Sequence, residues 1–406
     1  MSYRFVKVTT HYKEYLNDYY RRNGDVVHKT YQEQMQHIMA EAYGWADFFT
    51  THLMKLGVDA CEIIANALPL QQAWAQEHGL KSSGKNIVMA QLKALQPDVI
   101  FFQDSFRFNG EWITYLKEQV PSIKQVIGWV AAPHTADDIQ QFKVFDYMLT
   151  SHPGFRQQLK DQGLSMYQFN HGFEASLLPK ISYNDEKSVI DCTFIGSLYK
   201  GEGLFNERVK MLETLLESNI TLKISGDLPK AKPSKILLKQ AAYITAKTLK
   251  NVGLTRVSQQ IPGLKAAVHW TQIPQAPYYS ENLIRVIQPP LYGINMLRVL
   301  SCGKVGLNFH GDASGPYAGN IRLYEVTGVG SCLLTDWKEN LHELFELDRE
   351  VVTYKSADEC IEKAKWLLEN PLERELIAKA GQARTLKDHT YEKRAVQLNQ
   401  LINKNF

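Results

Sequence analysis

The side chains best suited to chemistry stand close together near position 320. Asn320, Arg322 and Glu325 lie at the start of an apolar helical run that stops at Gly328-Val-Gly330 and passes directly into the strand-like Ser331–Thr335. A carboxylate in the first turn of a helix can accept two hydrogen bonds from hydroxyl donors, and a guanidinium beside it can grip a diphosphate. The plainer alternative for Glu325 is an acid that only complements the positive end of its own helix. Asn308, His310 and Thr335-Asp336 end neighbouring apolar runs, so a parallel sheet would bring them to the same edge.

Two further loops carry candidates. Phe194-Ile-Gly196-Ser197-Leu-Tyr-Lys200 follows a strand-like run and precedes a helix with Leu204, Phe205, Val209, Leu212, Leu215 and Leu216 at helical spacing. Gly196 lets backbone approach a ligand, and the N–H groups after Ser197 favour an anion. Lys200 would add a point charge, and Arg208 a two-pronged contact if it faces the ligand. The alternative is an ordinary strand-to-helix turn with surface charges. In the first half of the chain, His134 in Ala132-Pro-His-Thr135 follows another strand-like run and suits a general base, or a donor to phosphate. Asp104, two residues past Phe102, is the second candidate base, and His171 is assigned to orienting or packing.

These loops must be positioned by two alternations of strand and helix. In the first, strands are expected at Tyr3–Thr9, Val58–Ile64, Asp98–Gln103, Gln125–Val130, Phe145–Thr150 and Met166–Asn170. One helix is predicted from Lys29 to Leu56, because Met35, Ile38, Met39, Ala42, Trp45 and Phe49 recur at three and four. The second has strands at Ile190–Gly196, Thr221–Ser225, Ala266–Trp270, Lys304–Phe309, Ser331–Thr335 and Glu350–Tyr354. Such alternation predicts an α/β chain of two doubly wound, Rossmann-like parallel sheets facing a cleft. Ile181–Lys187 is polar and aperiodic, which gives domains of 1–182 and 183–388 and a C-terminal helix, 389–406, packing back toward the first domain.

Composition narrows the partners. Five scattered cysteines form no ligand pair, so the expectation is a reduced, cytoplasmic protein without structural zinc. The N-terminus runs straight into a strand pattern, and the longest apolar runs are strand-sized. Net charge of +3 does not point to nucleic acid. Its distribution is uneven, because no Asp or Glu occurs from Leu228 to Ser280 while lysines recur. Residues 230–265 therefore read either as a surface for an anionic membrane, acceptor or partner, or as a solvated basic insertion.

The C-terminal third carries a resemblance. Arg322-Leu-Tyr-Glu325, Gly330, Glu343-Leu-Phe345, Arg349–Tyr354, Asp358-Glu-Cys360, Ala380–Arg384 and His389–Arg394 together resemble the donor half of GT-B glycosyltransferases, in particular the CgeB-like group with a "glycosyl transferases group 1" domain. Leu70-Gln-Gln-Ala-Trp74-Ala-Gln-Glu77 extends the likeness into the first half. The resemblance implies transfer of a sugar from a nucleotide-diphosphate sugar to a glycan, lipid-linked or protein acceptor. It implies Glu325 on the ribose, Arg322 and Asn320 near the phosphates with His310 beside them, and the Gly196-Ser197 loop against the diphosphate. Retaining members have a second glutamate eight positions before; here Tyr317 stands there. If configuration is retained, the leaving phosphate can take the acceptor proton; if it is inverted, His134 or Asp104 must act as base. Two other readings stay open: a scaffold or surface-maturation protein that kept the fold without turnover, and an enzyme that modifies nucleotide sugars without transfer.

No Asp-x-Asp occurs in the chain, so no metal or other cofactor is expected and cations with helix N-termini would neutralise the leaving group. EDTA should then leave donor binding and turnover unchanged in a calorimetric titration and a coupled assay. Loss restored by manganese or magnesium would instead show an acidic pair holding the diphosphate through a metal.

Overall fold

The computed structural model of the chain describes residues 3–181, 190–200, 205–228, 233–270, 273–276 and 278–406. Its first sheet comprises Arg4–Thr9 (β1), Asp59–Ile64 (β2), Val99–Phe102 (β3), Gln125–Trp129 (β4), Tyr147–Thr150 (β5) and Met166–Gln168 (β6), in the order β2-β1-β3-β4-β5-β6. The second comprises Cys192–Ile195 (β7), Leu222–Ser225 (β8), Val305–Asn308 (β9), Cys332–Asp336 (β10) and Val352–Tyr354 (β11), in the order β11-β10-β9-β7-β8. All pairings are parallel. Continuous apolar runs such as Val99–Phe102 are buried along their whole length, as strands covered by helices on both faces require. Strand order reverses beside β1 in one sheet and beside β7 in the other. Those switch points are where an open α/β sheet leaves a crevice for ligand.

Two expected elements differ. The helix predicted from Lys29 to Leu56 is two helices, Tyr31–Ala40 and Phe48–Lys55. Between them Ala42, Gly44 and Ala46 adopt positive φ of 53°, 62° and 36°. The break is held from below: Lys7, fully buried on β1, donates to the carbonyl of Ala46 at 2.6 Å and pairs with Glu62 of β2 at 3.1 Å. The apolar period runs through the break because both helices bury the same side against the first sheet. Ala266–Trp270 is not a strand but carries the 3-10 turn Ala267–His269. In its place a single parallel bridge joins Gln288 to Ser225 beyond β8. The polar stretch read as the domain boundary lies, apart from Ile181, outside the described residues.

The domains are joined along the back of the cleft. Phe173 N–H donates to the carbonyl of His389 at 2.8 Å, and Tyr391 N–H donates to the carbonyl of Phe173 at 3.1 Å. Thr390 caps the final helix, Tyr391–Lys404, which packs on Phe48–Lys55 of the N-terminal half. A second seam forms where Ile294 N–H reaches the carbonyl of Glu41 at 3.0 Å. Gly293 permits it: its φ is +53°, and a Cβ there would stand 1.9 Å from the Glu41 oxygen. Gly293→Ala should therefore cost about 1–3 kcal/mol of stability through overpacking, read as a lowered urea midpoint. An unchanged midpoint would show that the seam yields freely.

Candidate functional site

The carboxyl edges of the two sheets enclose a cleft of about 590 Å³. From the first domain it receives Thr9–Tyr12 at the end of β1, Gln103 past β3, the helix break Tyr43–Ala46, and His171. From the second it receives Gly196 and Ser197 past β7, Ser225–Asp227 past β8, Pro290–Gly293, and Ile321, Arg322 and Glu325. Each set stands at a switch point, so the strand order itself puts polar loop residues opposite one another.

The N-terminal wall is rigid. Thr9 Oγ1 donates to Gln103 Oε1 at 2.9 Å, and Thr10 Oγ1 to Asp104 Oδ2 at 2.5 Å. Asn66 clamps the His11 backbone from both sides, accepting from its N–H at 2.9 Å and donating to its carbonyl at 2.7 Å. Trp45 Nε1 donates to His171 Nδ1 at 3.1 Å. Burial, helped by Arg394, lowers the His171 pKa to about 3, so the ring is neutral and Nδ1 is free to accept. Tyr15 stacks on Tyr43 with centroids 3.7 Å apart, and Tyr292 of the other domain meets Tyr43 edge-on at 5.6 Å.

The C-terminal wall is a stack of strand ends. Gly196 N–H donates to the Ser225 carbonyl at 3.1 Å, and Gly226 N–H to the Gln288 carbonyl at 3.1 Å. A Cβ on Gly226 would stand 2.3 Å from the Gly196 oxygen. Glu325 lies on the helix Arg322–Gly328, is 9% exposed and faces the cleft. Arg322 Nη1 forms an ion pair with Glu325 Oε2 at 2.7 Å and also donates to Met296 Sδ at 3.0 Å. Among the described residues Glu325 Oε2 is buried with no well-aligned hydrogen-bond donor. Burial raises its pKa, with Arg322 opposing. A buried carboxylate without donors is costly, and hydroxyl donors in the cleft would relieve that cost.

The remaining sequence candidates take other places. Arg208 is buried under the loop, where Nη1 donates to the Ser197 carbonyl at 2.8 Å and Nη2 to the Phe309 carbonyl at 2.5 Å. Its guanidinium ties the ends of β7 and β9 together instead of reaching into the cleft. Burial lowers its pKa to about 10, which leaves it charged at neutral pH. Lys200 turns away, donating to the Tyr278 carbonyl at 2.6 Å. Asn320 Nδ2 donates to Asn308 Oδ1 at 2.6 Å and is spent on that support. His310 Nδ1 is 2.7 Å from Asp336, its Nε2 is buried without a partner among the described residues, and neither residue lines the cleft. His134 packs on Phe155 at 5.1 Å outside the cleft, its Nδ1 3.1 Å from the Ala132 carbonyl. Asp104 does not line the cleft itself but accepts from Thr10, which does. Tyr317 meets His152 of the first domain edge-on at 5.8 Å.

Glu14, Tyr43, Trp45, Asp227 and Tyr292 line the cleft without having stood out in the sequence. For Tyr43 and Trp45 the signal was the Gly44 between them, masked by the helical period. Asp227 had one too, as an acid directly after the Ser225-Gly226 strand end.

Comparison with known proteins agrees with this architecture. Residues 252–400 match a family model described as glycosyl transferase-like. None of the curated proteins compared matches the sequence. Among solved structures, Alr3699/HepE from Anabaena, in complex with UDP and glucose, is similar with a TM-score of 0.59 at 8% identity, over 99% of this chain and 100% of that one. A glycosyltransferase from Rickettsia africae aligns with a TM-score of 0.56 at 8% identity, over 100% and 98%. Sucrose-phosphate synthase from Thermosynechococcus elongatus gives 0.52 at 10%, over 99% and 98%. The fold is GT-B: two parallel-sheet domains across a cleft.

Asp336, behind the cleft wall, gives the fold a pH signature. Burial would raise its pKa, but the His310 ring and Lys338 at 3.3 Å outweigh that and hold it at about 2, from 3.8. A depressed carboxylate stabilises the fold above its unfolded pKa and loses that contribution as pH falls through the folded one. Asp336→Asn should cost about 2 kcal/mol at pH 7 and little near pH 2, checked by urea melts across that range. A cost independent of pH would remove the ion pair as the cause.

Proposed function

We propose that this GT-B chain, with its glycosyl transferase-like C-terminal segment, is a glycosyltransferase of the CgeB-like kind that uses a nucleotide-diphosphate sugar. The observation that carries the reading is Glu325: a buried carboxylate on the wall of the interdomain cleft, charge-balanced by Arg322, whose Oε2 has no well-aligned hydrogen-bond donor among the described residues. Ribose hydroxyls supply the donors it lacks. The diphosphate then falls against Gly196 and Ser197, whose loop Arg208 holds from beneath, with the positive charge of Arg322 at hand. The base lies toward Pro290–Tyr292 and Asp227. Transfer needs charge stabilisation on the leaving diphosphate more than it needs a metal, and Arg322 with the backbone N–H groups of the loop provides it.

The acceptor, a glycan or glycan-bearing molecule, enters beside the end of β1. Of the two candidate bases, Asp104 has the better support, since it stands one bond from Thr10 on the cleft wall. Tyr317, where retaining relatives carry a glutamate, packs against His152. Sugar contacts therefore fall to other groups, and a binding-only role is the alternative that assays with donor and acceptor must separate.

Three of the solved structures, all of Alr3699/HepE, hold UDP or UDP-glucose, so UDP is the first probe. Hydrogen bonds to a charged group are worth roughly 1.5–3 kcal/mol each, so Glu325→Ala should weaken UDP binding by roughly tenfold to several hundredfold in a calorimetric titration. An acid serving only its helix dipole would instead cost roughly 0.3–1 kcal/mol of stability and leave affinity unchanged. Equal affinities of the two proteins for a nucleotide that binds the wild type would sink the donor-site assignment.

A further inference from the structure

We infer that the helical insertion between β8 and the helix Gly293–Cys302 docks the protein on an anionic lipid bilayer, lying on its surface beside the cleft. Residues 228–280 hold eight of the chain's 46 basic residues and none of its 43 acidic ones, which leaves the rest of the chain net negative. Within this stretch the helix Pro233–Asn251 stands away from the second sheet and packs chiefly on Thr255–Gln260 and the turn Ala267–His269. Its inward row is Ile236, Gln240, Tyr243 and Ala246, of which only Ala246 is fully buried. The opposite row is apolar and exposed: Leu237 is 65% exposed, Leu238 72%, Ile244 56% and Val252, just past the helix, 63%. Leu254, Val257 and Ile261 on the neighbouring helix and its ends add to the same kind of surface, with exposed Arg256 among them.

An apolar row this open on a soluble surface calls for a cover. The stretch's wholly basic charge makes an anionic partner the fit. Lys235, Lys239 and Lys250 are exposed on the side of the helix away from the apolar row, the division that a helix lying in a lipid interface shows. A helix is about 10 Å across, so even these lysines sit within roughly one Debye length of the headgroups. Among the described residues no helix is long and apolar enough to cross a membrane, so the attachment is to the surface.

The insertion also reaches the first domain. Lys265 Nζ is 3.4 Å from Asp137, which follows the His134 loop. Tyr278, at the end of the insertion, is 75% exposed, and Lys200 donates to its carbonyl. The insertion leaves and rejoins the second domain near Asp227 and Pro290, which both line the cleft, so a bilayer under it would lie beside the cleft, where a lipid-borne acceptor would arrive. Membrane attachment itself does not depend on the proposed transfer reaction.

The test uses the full chain with vesicles of phosphatidylcholine alone and of phosphatidylcholine mixed with phosphatidylglycerol. Wild type should co-sediment with the mixed vesicles, weakly or not at all with the neutral ones, and less as salt rises. Leu237→Ser, Leu238→Ser and Ile244→Ser together should reduce binding at least tenfold. Lys235→Gln, Lys239→Gln and Lys250→Gln together should weaken it by about twofold per lysine, as expected one Debye length from the surface, and flatten its salt dependence. Because these side chains are exposed, both variants should keep the wild-type thermal midpoint and UDP affinity, which separates failure of docking from failure of the donor site. No binding of wild type to mixed vesicles overturns the inference, as does a serine variant that binds like wild type. A concentration-dependent dimer that the serine variant abolishes, with no vesicle binding, overturns it in favour of a second copy as the cover.

Discussion

Two parallel sheets present their carboxyl edges to one cleft only if the chain fixes the angle between them from behind. Here that is done where the backbone of Phe173 exchanges hydrogen bonds with the residues on either side of Thr390. Around that exchange a network of side chains is hydrogen-bonded. His389 Nε2 is 2.9 Å from the Leu344 carbonyl, Arg394 Nη2 is 2.9 Å from His389 Nδ1, and Arg394 Nε donates to the His171 carbonyl at 3.0 Å. Burial lowers the His389 pKa to about 4, so Arg394 faces a neutral ring. The same core then runs through from Phe49 and Phe101 to Tyr324, Tyr391 and Leu398 without a gap between domains.

The cleft inherits its shape from this joint. His171, one residue before Gly172 and Phe173, is pinned by Arg394 on its carbonyl and by Trp45 on its ring. Trp45 in turn belongs to the helix break that Lys7 holds through Ala46. Burying Lys7 is expensive alone, and Glu62 compensates it; burial raises the Glu62 pKa to about 7, with Lys7 opposing. A chain of packed polar contacts therefore connects the hinge to the wall on which donor and acceptor would meet. On the far wall Arg208 does comparable service, joining two strand ends through their carbonyls.

Legibility in the sequence followed the kind of force involved. Strands were readable because a parallel strand buried on both faces is a continuous apolar run, as in Val99–Phe102 and Cys332–Leu334. Gly196 and Ser197 were readable as cleft positions because they directly follow such a run, and Glu325 because its short helix leads into one. The break at Ala42–Ala46 was not: two helices that bury the same side keep one period across the interruption, and the residue that makes the break favourable, Lys7, is far away in sequence. Ala266–Trp270 looked like a strand from composition alone, and no neighbouring strand recruits it.

By itself the sequence determined the two alternations of strand and helix, hence two doubly wound sheets, and the loops at their carboxyl ends. Those follow from local patterning, which acts through nearest neighbours along the chain. Tertiary structure alone decided which polar groups face the cleft. Arg208, Lys200 and Asn320 had the right chemistry and loop position, yet each meets a backbone carbonyl or amide partner first, while Tyr43, Tyr292 and Asp227 are brought to the cavity from separate elements. A side chain's direction is set by whichever long-range partner satisfies it when buried, and that partner is chosen by the packing of domains rather than by its place in the sequence.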